Sequence, residues 1–333
     1  MANALRQPQP IAPVDAVPRL HALLADDMQA VNALILQKMQ NPVALIPQLA
    51  AHLIAAGGKR LRPLLTLASA QLCGYRGTAH NVLAAAVEFI HTATLLHDDV
   101  VDHSNLRRGQ DTANAIWGNK SSVLVGDFLF ARAFELMVDA NSLPVLRVLS
   151  NAAATIAQGE VQQLQTANNL LTTADDYYAV IGAKTAALFA AACEVGGIIA
   201  NRPATEIAAL RQYGMELGLA FQLSDDVLDY TGVPGKEPGD DFRDGKITLP
   251  VILAHAAGDA TERDFWQRTL GNEQFADGDF TTARTILDKH NALTRAMEHA
   301  QNHAQAAQNA LTIFPDSEWR DCLWAAADFA ARR

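Results

Sequence analysis

Residues 88–108 read EFIHTATLLHDDVVDHSNLRR, an apolar run that passes abruptly into Asp98, Asp99 and Asp102 and then into Arg107 and Arg108. The first half has the three- and four-residue apolar spacing of a buried helix, and burying its carboxylate end is costly unless a cation answers it. The arrangement at residues 95–102, LLHDDVVD, returns at residues 222–229 as QLSDDVLD. In a helix the outer aspartates of D-D-x-x-D lie one turn apart on one face, so each copy presents a carboxylate pair with the middle aspartate turned partly away. Like charges so placed repel unless a cation lies between them. One such motif alone is usually a solvated helix end. Two copies, each directly after apolar residues and without clustered His or Cys, point to a hard ion such as Mg²⁺ that also takes phosphate oxygens.

The rest of the chain sets these motifs among helices. From Leu20 onward apolar residues recur at helical spacing, β-branched alternation is absent, and Ala, Leu, Gln and Glu are abundant. Breaks are predicted at Asn41-Pro42, Gly57-Gly58, Gly74, Gly109, Asn141 to Pro144, Gly182, Pro203, Gly232 to Gly245, Gly271 and Pro315. The expectation is roughly a dozen helices with short connections, one all-α domain over residues 20–333. Residues 1–19, rich in proline, read as a flexible arm.

Composition narrows the function. The formal net charge of −10 argues against a nucleic-acid groove or an anionic membrane surface. Cys73, Cys193 and Cys322 form no CxxC pattern, so neither a disulfide framework nor a zinc knuckle is expected, and the reducing cytoplasm fits. The N-terminus has no secretory signal pattern, and no uncharged apolar run is long enough to predict a membrane span. The most apolar run, from Thr185 to Ala200, is broken by Glu194 and reads as a core helix. His21, His52, His80, His103, His255, His290, His299 and His303 read as ordinary surface or packing residues.

Cations complete the pattern. GGKRLRP at residues 57–63 is a glycine turn into a helix with a basic start, where backbone N–H groups also favour an anion. Arg107 and Arg108 follow the first acidic motif, while Lys184, Lys236 and Lys246 follow glycine-containing turns. Arginine grips phosphate bidentately and lysine serves as a movable charge. Each alone reads as a surface charge; together they suggest one metal-bridged and one purely cationic diphosphate pocket.

Through GGKRLRP at Gly57, HDDVVDHSNLRRG at His97, GDFLFARA at Gly126, GEVQQL at Gly159, GAKTAALF at Gly182, FQLSDDVLDY at Phe221 and GKEPGDDFRDGKITLP at Gly235, the chain resembles the trans-polyprenyl diphosphate synthases. Phe242 and Asp111 stand where that family usually has Leu and Pro. The resemblance implies the isoprenoid synthase fold and head-to-tail transfer of an allylic group, from farnesyl or geranyl diphosphate, to isopentenyl diphosphate. It implies that Asp98, Asp102 and Asp225 bind two or three Mg²⁺ ions, with Asp99 in support. Arg107, Lys184 and Lys246 would hold the allylic diphosphate. Lys59, Arg62, His91 and Arg108 would hold isopentenyl diphosphate, with Lys236 a further substrate-binding candidate. Thr185 and Gln222 would line the reaction centre, and Asp226, Asp229 and Asp241 would position water and lysine.

The same resemblance ties product length to residues preceding the first motif. Ala93 and Thr94 are small, and Phe89, Ile90 and Ala86 continue the wall, so the tunnel for the growing tail should stay open. Octaprenyl, solanesyl or decaprenyl diphosphate is implied, with decaprenyl preferred, for a ubiquinone side chain; a homodimer is also implied. The alternatives are a shorter-chain farnesyl or geranylgeranyl diphosphate synthase, a class I terpene cyclase, and a di-iron bundle suggested by Glu88-x-x-His91.

Overall fold

The computed structural model describes residues 11–55, 58–107, 109–232 and 238–332. Its helices, in chain order, are α1 (Ala16–Leu23), α2 (Ala25–Met39), α3 (Leu45–Ala55), α4 (Leu61–Leu72), α5 (Ala79–Val101), α6 (Ala113–Trp117), α7 (Asn119–Asp139), α8 (Leu143–Thr166) and α9 (Ala174–Ile181). They continue as α10 (Ala187–Ile199), α11 (Ala204–Thr231), α12 (Asp240–Arg243), α13 (Leu249–Ala257), α14 (Ala260–Trp266), α15 (Asp279–Lys289), α16 (Ala292–Ala310) and α17 (Glu318–Ala331). A short antiparallel hairpin, β1 (Leu106–Arg107) with β2 (Gln110–Asp111), follows α5.

Most predicted breaks coincide with helix ends, and local chemistry makes those ends. Ser142 caps α8, with Pro144 in its first turn, and Thr173 and Asp176 form a reciprocal capping box on α9. Gly182 is the exception. It keeps right-handed helical angles and opens a π turn, Gly182–Ala186, that joins α9 directly to α10. A glycine confined to ordinary helical angles does not by itself end a helix; here it starts the wider turn that carries Lys184 and Thr185.

The joined stretch Ala174–Ile199 has the length and composition of a membrane span, which the broken apolar run did not predict, yet 72% of its apolar window is buried inside the protein. It is a core helix. α10 packs against α4, α5, α8 and α11, and so takes its apolar surroundings from protein on every side. α11 can press close because Gly214 and Gly218 face it: a Cβ at Gly214 would lie 2.3 Å from the Phe189 carbonyl, and one at Gly218 would lie 2.6 Å from Ala186 Cα.

The two chain ends pack together. The helix expected to start at Leu20 begins earlier, at Ala16, because Ala16, Val17 and Leu20 form an apolar face that the core buries. α1 packs on α17, and Arg19 pairs with Glu318. Residues 1–10 lie outside the described residues.

Candidate active site

The last turn of α5 would leave carbonyls exposed at a charged end. Asn114 answers one of them: its Nδ2 donates to the carbonyl of Asp99 (3.1 Å) and also to that of Ser104 just past the helix (3.0 Å). Arg107 folds back from β1, with Nε 2.8 Å and Nη2 2.7 Å from Asp99 Oδ1. Asp99 is therefore occupied, which leaves Asp98 and Asp102 as the carboxylate pair on the other face.

A lysine from a different element approaches each of those carboxylates. Lys184, in the π turn, lies 3.7 Å from Asp98 and 2.7 Å from Glu160 of α8. Gly159 permits this approach, since a Cβ there would lie 2.8 Å from both Ala183 Cβ and Lys184 N. Lys246 lies 3.7 Å from Asp102, 3.4 Å from Asp241 and 3.0 Å from Asp244. Burial works against the Lys246 charge, but Asp241, Asp102 and Asp244 outweigh it and hold the ammonium above the ordinary lysine range. Burial pushes the Asp98 carboxyl up despite Lys184, and burial together with Asp98 lifts Glu160 to about 7. These carboxylates are under-compensated by the lysines alone.

The second motif, on α11, splits its residues between tasks. Asp226 accepts from Tyr177 Oη (2.6 Å) and from Gln222 Nε2 (2.8 Å), and Gln222 Oε1 accepts from Thr185 Oγ1 (2.8 Å). Asp226, expected to position water and lysine, holds Tyr177 at one carboxyl oxygen and Gln222 at the other. Asp229 Oδ2 accepts from the Asp241 N–H (2.9 Å) and the Asp229 carbonyl accepts from the Gly239 N–H (2.8 Å), fastening α12 and hence Lys246. Phe242 seals that attachment against Phe275, with ring centroids 5.3 Å apart, and against Phe280, Trp266 and Phe265.

A second group of cations gathers where α4 enters. Arg60 takes a left-handed conformation (φ 47°) and pairs with the buried Glu88 at 2.9 Å. Arg62 Nη1 lies 3.1 Å from His91 Nε2, and its guanidinium sits 4.2 Å from the centre of the Phe189 ring. Burial lowers Arg62 to about 10, with Glu88 and Asp225 acting the other way. The Lys59 ammonium lies over the Phe329 ring of α17 at 4.5 Å, and His21 Nε2 lies 3.1 Å from the Lys59 carbonyl. Gly57, Arg108 and Lys236 lie outside the described residues.

Among the described residues no three His, Cys, Asp or Glu side chains converge tightly enough to hold a metal by themselves. The donor set still suits Mg²⁺, which keeps one or two carboxylates and completes its shell with water and phosphate oxygens. Asp98 and Asp102, hard donors held only loosely by lysine, fit that description.

Comparison with known proteins bears on the whole site. The family model described as Polyprenyl synthetase matches residues 43–287, spanning the motifs from Lys59 to Lys246. The chain belongs to the polyprenyl synthetase family. It is a prenyltransferase of the long-chain trans type. The octaprenyl diphosphate synthase of Escherichia coli is 43% identical over 323 residues, covering 95% of this chain and 98% of that protein. A crystal structure of a decaprenyl diphosphate synthase from Rhodobacter capsulatus superposes with TM-score 0.93 at 53% identity, covering 95% of this chain and 98% of that one. A polyprenyl synthase from Caulobacter crescentus, complexed with calcium and isoprenyl diphosphate, gives TM-score 0.92 at 52% identity with the same coverage. The isoprenoid synthase fold is therefore shared, and the di-iron alternative fails on geometry: Glu88 is paired with Arg60, and His91 faces Arg62.

Sequence reasoning passed over several residues of this polyprenyl synthetase site. Glu160 lies inside GEVQQL but no role was read for it; a carboxylate beside the close-packing Gly159 was the available signal. Tyr177, Phe329 and His21 carried no signal, because each reaches the site only through tertiary packing.

Proposed function

We propose that the enzyme condenses isopentenyl diphosphate, head to tail and repeatedly, onto an allylic diphosphate such as farnesyl or geranyl diphosphate. The observation that carries this is the meeting of Lys184 and Lys246 with Asp98 and Asp102, one lysine to each carboxylate, beside a separate cation group of Lys59, Arg62 and His91. Asp98, Asp102 and Asp225 hold two or three Mg²⁺ ions, which when bound neutralise the diphosphate oxygens as charge builds on the departing pyrophosphate. Lys184, Lys246 and Arg107 grip the same allylic diphosphate, for which Arg107 exchanges its Asp99 partner. Lys59, Arg62, His91 and Arg108 take isopentenyl diphosphate, with Lys236 a further substrate-binding residue.

The allylic C–O bond breaks heterolytically, its electron pair leaving with pyrophosphate, and the double bond of isopentenyl diphosphate attacks the resulting cation. A proton then passes to pyrophosphate. Thr185 and Gln222 turn their oxygens to the cation, and the apolar walls exclude the water that would quench it. Asp229 and Asp241 keep Lys246 in place.

Ala93, Ile90 and Phe89, which are 0, 0 and 3% exposed, with half-buried Thr94, form one wall of the path for the growing tail. Small Ala93 leaves that path open to a decaprenyl product for a ubiquinone side chain. Two copies pair through α7, whose Leu124, Phe134 and Val138 are 67, 42 and 64% exposed. The described residues from Ala16 onward act as one cytoplasmic domain.

Incubation with farnesyl diphosphate, labelled isopentenyl diphosphate and Mg²⁺, resolved by reverse-phase chromatography, reads product length directly. Decaprenyl diphosphate is expected; a product ending at geranylgeranyl diphosphate sinks the open-tunnel reading.

A further inference from the structure

α9 and α11 are joined by a chain of hydrogen bonds whose far end, at Tyr177, no part of the reaction yet uses. Tyr177, only 4% exposed, donates from Oη to Asp226 Oδ2 at 2.6 Å. Gln222, one turn before Asp226, donates from Nε2 to the other carboxyl oxygen at 2.8 Å and accepts from Thr185 at its Oε1, also at 2.8 Å. Tyr177 and Thr185 stand at opposite ends of the segment that holds the π turn, so that segment grips α11 at two points. The chain borders a cavity of ≈ 120 Å³ lined by Tyr177, Lys184, Thr185, Gln222, Asp226 and Lys246.

We infer that Tyr177 is a positioning residue for the prenyl transfer, acting through Asp226 to fix which way the Gln222 amide points. A primary amide has a donor end and an acceptor end, and a half-turn about its last bond exchanges them. Asp226 offers acceptors on the side of Gln222, so the NH₂ end is held there and the carbonyl end faces Thr185. Asp226 can perform this only if its own carboxyl plane is fixed, and the Tyr177 bond to its second oxygen supplies that constraint. A carbonyl and a hydroxyl oxygen aimed into the reaction centre stabilise positive charge, whereas an inverted amide would present N–H groups to it. The inference rests on the assignment of Thr185 and Gln222 to the reaction centre.

Tyr178 provides an internal control. It adjoins Tyr177 on α9, but its hydroxyl lies 2.9 Å from His299 Nδ1 of α16, away from this chain of bonds. Single-turnover and steady-state kinetics on Tyr177→Phe, Tyr178→Phe, Gln222→Ala and Tyr177→Phe/Gln222→Ala separate the possibilities. Tyr177→Phe should lower kcat about ten- to a hundredfold with KM for isopentenyl diphosphate nearly unchanged. Tyr178→Phe should keep the parent kcat, and Tyr177→Phe should cost little more once Gln222 is already Ala. An unchanged kcat in Tyr177→Phe, with or without a lower Tm, overturns the inference, as does full additivity in the double variant. If Gln222→Ala itself keeps the parent kcat, the assignment of Gln222 to the reaction centre fails instead. Should Tyr177→Phe not fold, Asp226→Asn, which preserves shape, must show the same kcat loss and the same non-additivity with Gln222→Ala.

Discussion

Asp99 and Asp98 are neighbours in sequence with different duties. Asp99 is 4% exposed and bound by Arg107, while Asp98 shares a partly buried space with Lys184 and Glu160. Single-residue changes should therefore divide by pocket. Asp98→Ala and Asp225→Ala remove charge that stabilises the departing pyrophosphate and should lower kcat by about a hundredfold or more. Lys59→Ala should chiefly raise KM for isopentenyl diphosphate. Equal loss of allylic-diphosphate binding in all three variants, measured by isothermal titration with Mg²⁺ present, contradicts the two-pocket assignment. The proposed division follows from D-D-x-x-D spacing and from GGKRLRP. The engagement of Arg107 by Asp99 was not, because it depends on a hairpin that folds the chain back over α5.

Among the elements, α5 carries both the proposed metal-binding end and the proposed tunnel wall. A large ring at a fully buried alanine fills the path, so Ala93→Tyr should shorten the product sharply while the first condensations persist; unchanged product length on reverse-phase chromatography refutes the wall. The helices after α13 carry none of the sequence motifs, yet they hold the Lys246 segment through the rings around Phe242. Their own anchor is Glu262, which accepts from Lys289 (2.6 Å), lies 2.8 Å from His290 and caps α14 through Asp259. The Lys289 and His290 hydrogen bonds hold its carboxyl down at about 2, from an ordinary 4.5. A depressed carboxyl contributes stability that is full above its unfolded-state value and lost as pH falls toward its folded-state value. Glu262→Gln should thus melt a few degrees below the parent at pH 7, and the gap should narrow between pH 4.5 and 2. A gap independent of pH, followed by circular dichroism, counts against an ionic anchor.

For the whole molecule, stability and catalysis draw on different interactions. The core runs without interruption from α1 to α17 and is apolar, whereas the proposed metal sites lie at helix ends beside the cavity. EDTA should abolish turnover and leave the helical circular dichroism spectrum and the Tm of the substrate-free enzyme nearly unchanged. Mg²⁺ with pyrophosphate should raise Tm by mass action. A large Tm loss on chelation alone would show that the fold, and not only the chemistry, depends on the ion.

Most helices and the two aspartate motifs are legible in the chain alone, because helix periodicity and D-D-x-x-D spacing are local properties read within one or two turns. The sequence located only part of the loops: a π turn replaced the break at Gly182, and the connections at Gly118, residues 167–173, Gly258 and His290-Asn291 carried no predicted break, so the described residues form seventeen helices where about a dozen were expected. Only the tertiary structure decided which charges meet. Lys184 with Glu160, Tyr177 with Asp226, Arg60 with Glu88 and Lys59 with Phe329 are pairings between separate elements. The first depends on close packing at Gly159, and all four arise only when the whole core assembles.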